Sequence, residues 1–183
     1  MPQDNSLSYL HRLVWTALMA ALVAVGAFLY LPLGPVPISL QPFFVLMAGF
    51  ILGPRWGAMA LCLYVAAGLA GLPVFSGGRS GFAHLLGPTG GFLIGFIACA
   101  ALAGAATARR VSQLTWLKGV LWGLAGLLAL YLVGVLRLQM VIKADLAKAV
   151  TVGFAPFFPP DLAKLAAAVA VYRFLWTKRL LPR

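Results

Sequence analysis

Groups able to do chemistry are scarce in this chain, and the richest concentration is the four-residue segment Asp161-Leu162-Ala163-Lys164, directly after Pro159-Pro160. Proline is favoured in the first turn of a helix, so a helix starts here, and residues i and i+3 share one of its faces. Two uses of that geometry are open. Asp161 can cap the helix by accepting free backbone N–H groups, with Lys164 simply paired to it. Alternatively, the carboxylate and the ammonium together face a ligand that offers N–H donors at one end and a carboxylate at the other. Polar groups within apolar membrane sequence are costly and usually mark a ligand or a partner, which favours the second use.

Arg79, inside Gly77-Gly78-Arg79-Ser80-Gly81, is a candidate second cation for such a site, or a solvated loop charge. Gln41, at the start of an apolar run, is a further candidate for polar ligand contact. Enzymatic chemistry has little to work with. The three acids are Asp4, Asp145 and Asp161, so no paired carboxylates lie within a span, and His84 has no Ser and Asp placed to form a triad with it. No His/Cys/Asp/Glu cluster has metal-ligand spacing, and Cys62 and Cys99 each sit inside an apolar run as packing residues. Gly87-Pro88-Thr89-Gly90-Gly91 lacks the lysine of a phosphate-binding loop, so ATP-driven work falls to another subunit. We expect no metal and no cofactor.

The elements that must position these residues are membrane helices. Of 183 residues, 63% are hydrophobic and 9% charged, with a mean hydropathy of +1.00. Apolar runs at Leu13–Leu31, Leu40–Gly53, Trp56–Leu72, Gly90–Ala108 and Gly119–Leu136, with a last helix from Asp161 to Trp176, predict six transmembrane helices in one integral membrane domain spanning residues 1–183. Residues 1–11 form a short cytoplasmic tail, and the first run, too long for a secretory signal, stays in the mature protein. Gly53-Pro54-Arg55 separates the second and third runs as the turn of a tight helical hairpin.

The net charge of +11 lies between the apolar segments, which is the pattern of membrane orientation and contact with lipid headgroups rather than of nucleic-acid binding. With both termini cytoplasmic, Arg12, Arg55, Arg109, Arg110, Lys118, Lys178, Arg179 and Arg183 fall inside, against Arg79, Arg137, Lys143 and Lys148 outside. The outer loops then carry the Gly/Pro segments at 34–37, 77–81, 87–91 and 157–160. Irregular backbone at a membrane must be buried in protein or line a watery cavity, so these loops are expected to close over a ligand pocket. On the first helix, Ala17, Ala20, Ala21, Ala24 and Ala27 form a stripe of small residues that permits close approach of another helix, internal or from a partner.

The runs GPVPISLQ at 34–41, LGPRWGA at 52–58, GLPVFSGGRSG at 71–81, LLGPTGGFLIGF at 85–96 and PFFPPDLAK at 156–164 resemble the BioY family. Its members are the biotin-specific substrate-binding components of energy-coupling factor transporters. The resemblance covers about residues 10–180. It implies a six-helix bacterial inner-membrane protein that binds biotin at its outer side and works with a transmembrane coupling protein and ABC-type ATPase subunits. It also implies that Asp161 and Lys164 contact the ligand, the ureido N–H groups suiting Asp161 and the valerate suiting Lys164. The Ala-x-x-x-Ala pattern of such components, which meets the coupling protein, matches Ala17/Ala21 and Ala20/Ala24. At Arg79 the sequence departs from the small or polar residue expected there. The competing readings are a self-sufficient vitamin carrier and a small membrane enzyme.

Overall fold

The computed structural model describes residues 4–32, 36–107 and 114–181, with side chains from Tyr9 onward. Arg109, Arg110, Arg183 and the Gly34-Pro35 pair lie outside the described residues. The protein is mostly helical. Helix α1 (Asp4–Phe28) leads into a short antiparallel hairpin, β1 (Tyr30–Leu31) and β2 (Ile38–Ser39), pairing Tyr30 with Ser39 and Leu31 with Ile38. Then follow α2 (Gln41–Leu69), α3 (Phe82–Leu86), α4 (Gly90–Ala105), α5 (Trp116–Ile142), α6 (Leu146–Gly153) and α7 (Phe158–Thr177).

By length and apolarity, Tyr9–Phe28, Gln41–Leu69 and Trp116–Ile142 are each able to cross a membrane. The pair α6 and α7, bent by 46°, makes a possible fourth crossing, and α4 is a shorter apolar helix. The 29 residues of α2 are not one rod, however. Gly53 has φ 77° and ψ −179°, outside helical geometry, and Pro54 follows it. Gln41 Nε2 donates to the Tyr64 hydroxyl at 2.8 Å, although 23 residues of straight helix would separate them by about 34 Å. The chain therefore reverses at Gly53, as the Gly-Pro-Arg signal predicted.

The reversal leaves a backbone carbonyl without its helical partner. Pro54 has no N–H to give the Phe50 carbonyl, the acceptor four residues back. The Thr107 hydroxyl, buried at the end of α4, lies 3.1 Å from that carbonyl and 3.1 Å from its own Gly104 carbonyl. Gly104 makes this possible, since a Cβ there would sit 2.5 Å from the backbone of Gly53 and Pro54. Thus α4 lies directly on the hairpin turn. At the far end of α7, Arg173 donates to the Leu114 carbonyl at 2.8 Å and stacks over Trp116, tying α7 to the start of α5.

Several boundaries differ from the sequence expectations. The first helix begins at Asp4, so most of the expected tail 1–11 is helical, and it ends at Phe28 because Tyr30 is already paired in β1. Helices α3 and α6 form within outer segments read as loops. The alanine stripe splits: Ala20 and Ala27 are buried in the bundle, Ala24 is half-buried, and Ala17 and Ala21 are exposed. Helix α1 packs against α2, so burial of Ala20 is internal packing. The five alanines span more arc than one neighbour covers.

Gly104→Ala is expected to cost about 1–3 kcal/mol by forcing α4 off the turn. Ile94→Ala, at a half-exposed position on the same helix, changes stability little. Thermal melting of the purified chain in detergent compares the two.

Candidate functional site

The start of α7 carries the central group. Asp161 is the fourth residue of a helix that begins at Phe158, and its side chain makes no capping bond; its own N–H already donates to the Phe157 carbonyl at 3.0 Å. The capping role is thereby excluded, because Phe158 and the two prolines start the helix one turn too early for it. The carboxylate is buried, 3% exposed, yet both oxygens are engaged. Lys164 Nζ meets Oδ1 at 2.6 Å, and the Tyr131 hydroxyl donates to Oδ2 at 2.5 Å. Lys164 also donates to the Ser39 carbonyl at 2.7 Å, which joins α7 to β2 across 125 residues of sequence.

A second polar chain starts at the same Ser39. Its hydroxyl donates to Gln41 Oε1 at 3.2 Å, and the Ser76 hydroxyl donates to the same oxygen at 3.2 Å. Gln41 Nε2 donates to Tyr64, whose hydroxyl donates to the Val74 carbonyl at 3.2 Å. The N-terminus of α2, its second arm and the loop before Arg79 are thus bolted together. Phe75, fully buried, lies edge-on to Tyr64 and supports that loop from beneath. Among the described residues, no buried side-chain polar atom lacks a partner.

Between these groups lies a cavity, open at its mouth. Asp161, Lys164, Tyr131, Ser39, Gln41, Ser76, His84 and Thr89 supply its polar wall; Phe92, Leu93, Phe96, Leu130 and Phe157 are among its apolar residues. One corner can pair an N–H donor with a carboxylate and an acceptor with an ammonium, while the apolar surface receives a hydrocarbon body. No group of three or more His, Cys, Asp or Glu side chains able to hold a metal occurs among the described residues.

Of the residues singled out from sequence, Asp161, Lys164 and Gln41 meet in this wall. Arg79 does not line the cavity; it is exposed and bridges back to Phe75 in a tight turn. Tyr131, Ser39, Ser76 and Thr89 in the wall, and Tyr64 behind Gln41, are not among the residues that sequence pattern marks, and His84 enters the sequence reading only through the triad it does not form. Tyr131 alone carries a readable signal: it lies on the side of α5 that holds Gly123 and Gly134, both buried. A hydroxyl on the packed face of a membrane helix needs a partner.

The sequence matches the BioY family over residues 1–180. It is 40% identical over 162 residues to the biotin transporter BioY of Thermotoga maritima, covering 88% of this chain and 94% of that one. To the probable biotin transporter BioY of Pyrococcus horikoshii it is 41% identical over 155 residues, covering 85% and 90%. The fold is similar to the crystal structure of the S-component for biotin from an ECF-type ABC transporter, with a TM-score of 0.83 at 30% identity over the whole of both chains.

Lys164→Met should strand a buried carboxylate and lower stability without ligand by about 3 kcal/mol. Adding Asp161→Asn to it should restore most of that loss, because the charge to be compensated is gone. Equal and additive losses in a double-mutant cycle of melting temperatures would show that the pair is not coupled.

Proposed function

The chain belongs to the BioY family, and from that we propose that it captures biotin as the membrane-embedded binding subunit of an energy-coupling factor transporter. It is a transport protein, not an enzyme; biotin is its cargo and no cofactor is called for. The observation that carries the site assignment is the Asp161–Lys164 pair, buried in the wall of a mostly apolar cavity and joined by the Tyr131 hydroxyl. A cyclic urea presents N–H donors beside a carbonyl acceptor, and this pair presents an acceptor beside a donor at 2.6 Å. The thiophane body then suits Phe and Leu walls.

That spacing revises one expectation. Asp161 and Lys164 are in direct contact, so they cannot separately hold the two ends of an extended ligand. We assign both to the ureido ring, with Lys164 on its carbonyl and not on the valerate. Gln41 sits in the same wall and orients the loops around it, whereas exposed Arg79 has no place against the ring.

The reading extends to six spans: α1, the two arms of α2, α4, α5 and α7. Both termini are cytoplasmic in a bacterial inner membrane, as the excess of Lys and Arg on that side supports. ATP hydrolysis and inward release belong to a transmembrane coupling protein and ABC-type ATPases, which the absence of any phosphate-binding loop in the sequence makes necessary if transport is ATP-driven. Of the alanine stripe, Ala17 and Ala21 are exposed for contact with that coupling protein. Uptake of biotin by the chain alone, in cells lacking coupling subunits, would instead support the self-sufficient carrier.

Asp161→Asn should abolish most of the thermal stabilisation given by added biotin, which scales with ln(1 + [L]/Kd), because an amide loses one acceptor and presents a misplaced donor. Lys164→Met should weaken biotin and biotin methyl ester equally, each by roughly tenfold or more. A loss confined to the acid would place the valerate on Lys164. Separately, Ala21→Leu should leave biotin binding by the isolated chain intact while preventing co-purification of the coupling protein, since a bulky side chain blocks close helix approach.

A further inference from the structure

A second polar cluster lines the same cavity and takes no part in the Asp161–Lys164 pair. The His84 ring, in α3, stacks on Phe75 with centroids 5.1 Å apart, and its Nε2 lies 3.1 Å from the Thr89 hydroxyl. Thr89 immediately precedes α4, where the aligned peptide dipoles favour an anion. Arg79, exposed and outside the cavity lining, is near enough for its charge to bear on His84.

The remaining charges nearby are already committed. Among the described residues, the ionisable groups of the cavity wall are His84, Tyr131, Asp161 and Lys164. Tyr131 and Lys164 both serve Asp161, and the charges of the pair cancel. Arg137, from α5, donates to the Leu86 carbonyl at 2.7 Å. A biotin seated by its ring on Asp161 and Lys164 still has a flexible chain ending in a carboxylate, which must finish several ångströms away. His84 and Thr89 are polar groups of this wall outside both that pair and the Gln41 network, and the Arg79 charge bears on them.

We propose that His84, with Thr89 beside it and the Arg79 charge nearby, is the subsite for the ligand's carboxylate. The assignment rests on the Asp161–Lys164 pair being the ring subsite. It also gives binding a pH dependence. Burial, and secondarily the Arg79 guanidinium, hold the His84 imidazole below its ordinary range in the empty site, so it is neutral there at neutral pH. A carboxylate beside the ring favours the imidazolium, so the ring titrates higher in the complex than in the free protein and binding takes up protons. The added affinity is fully present below the free protein's transition and is lost as pH rises through that of the complex.

Calorimetric titration of the full chain in detergent, in buffers of different ionisation enthalpy between about pH 5 and 8, tests this with biotin and biotin methyl ester. Biotin should bind with proton uptake and the ester without it. His84→Gln should remove the uptake and weaken biotin about tenfold while leaving the ester nearly unchanged. His84→Phe, which keeps the stack on Phe75, should do the same and so separates charge from packing. Uptake persisting in both variants, or equal losses for acid and ester, would overturn the assignment. Failure of the wild-type chain to bind either compound would instead sink the biotin reading, and this subsite with it.

Discussion

A carboxylate enclosed by a membrane bundle is tolerable only if its charge is matched and its lone pairs are used, and the architecture of this protein follows from meeting that demand at Asp161. Lys164 supplies the charge from one turn along α7, and Tyr131 supplies a hydroxyl from α5. Lys164 in turn reaches Ser39 on β2, so a single buried acid fixes the relative placement of α5, α7 and the hairpin after α1. Such an arrangement is poised for a ligand because its members are neighbours in an open cavity wall. A molecule that offers the same donors and acceptor can engage those groups without leaving a bare charge behind.

The helix break at Gly53 makes the rest of the polar wall possible. By returning α2 on itself it brings Gln41 and Tyr64 to the same end of the bundle, where one amide collects both Ser39 and Ser76. The cost of the break is an orphaned carbonyl at Phe50, and Thr107 offsets it from α4. Helices α2, α4 and α5 pack closely, and small residues on α4 and α5 let their backbones approach in a medium where hydrophobic burial contributes little between helices. The rigid part of the molecule is therefore built from backbone proximity. The site hangs on side chains at its rim, much of it on short loops held by Gln41 and by the buried Phe75.

The proposed site divides the labour of recognition between the charged pair and the apolar wall. On that assignment the Asp161–Lys164 pair would read a compact group that is both donor and acceptor, whereas the aromatic and aliphatic wall would accept a hydrocarbon body of suitable size and supply affinity more than selectivity. Selectivity would then reside in few hydrogen bonds. A site built to bond an N–H group rejects analogues lacking it, since its own buried polar atoms would be left unpaired.

The sequence by itself determined the membrane class, the hairpin at Gly53-Pro54 and the shared helix face of Asp161 and Lys164, because each is a local property. Apolar run length reports span content, a Gly-Pro step breaks any helix, and i, i+3 spacing puts two side chains on one face wherever the helix lies. Tertiary structure alone decided that Asp161 is not a cap, that Tyr131 is its partner, and that Gln41 is a hub while Arg79 stays outside the wall. Those outcomes depend on which residues far apart in sequence are brought within hydrogen-bond distance, and no local pattern encodes that. The alanine stripe shows the limit most plainly. Its period fixed a small-residue face on α1, but whether each alanine meets α2 or the outside depended on how α1 is rotated against its neighbour, a choice made by the packing of the whole bundle.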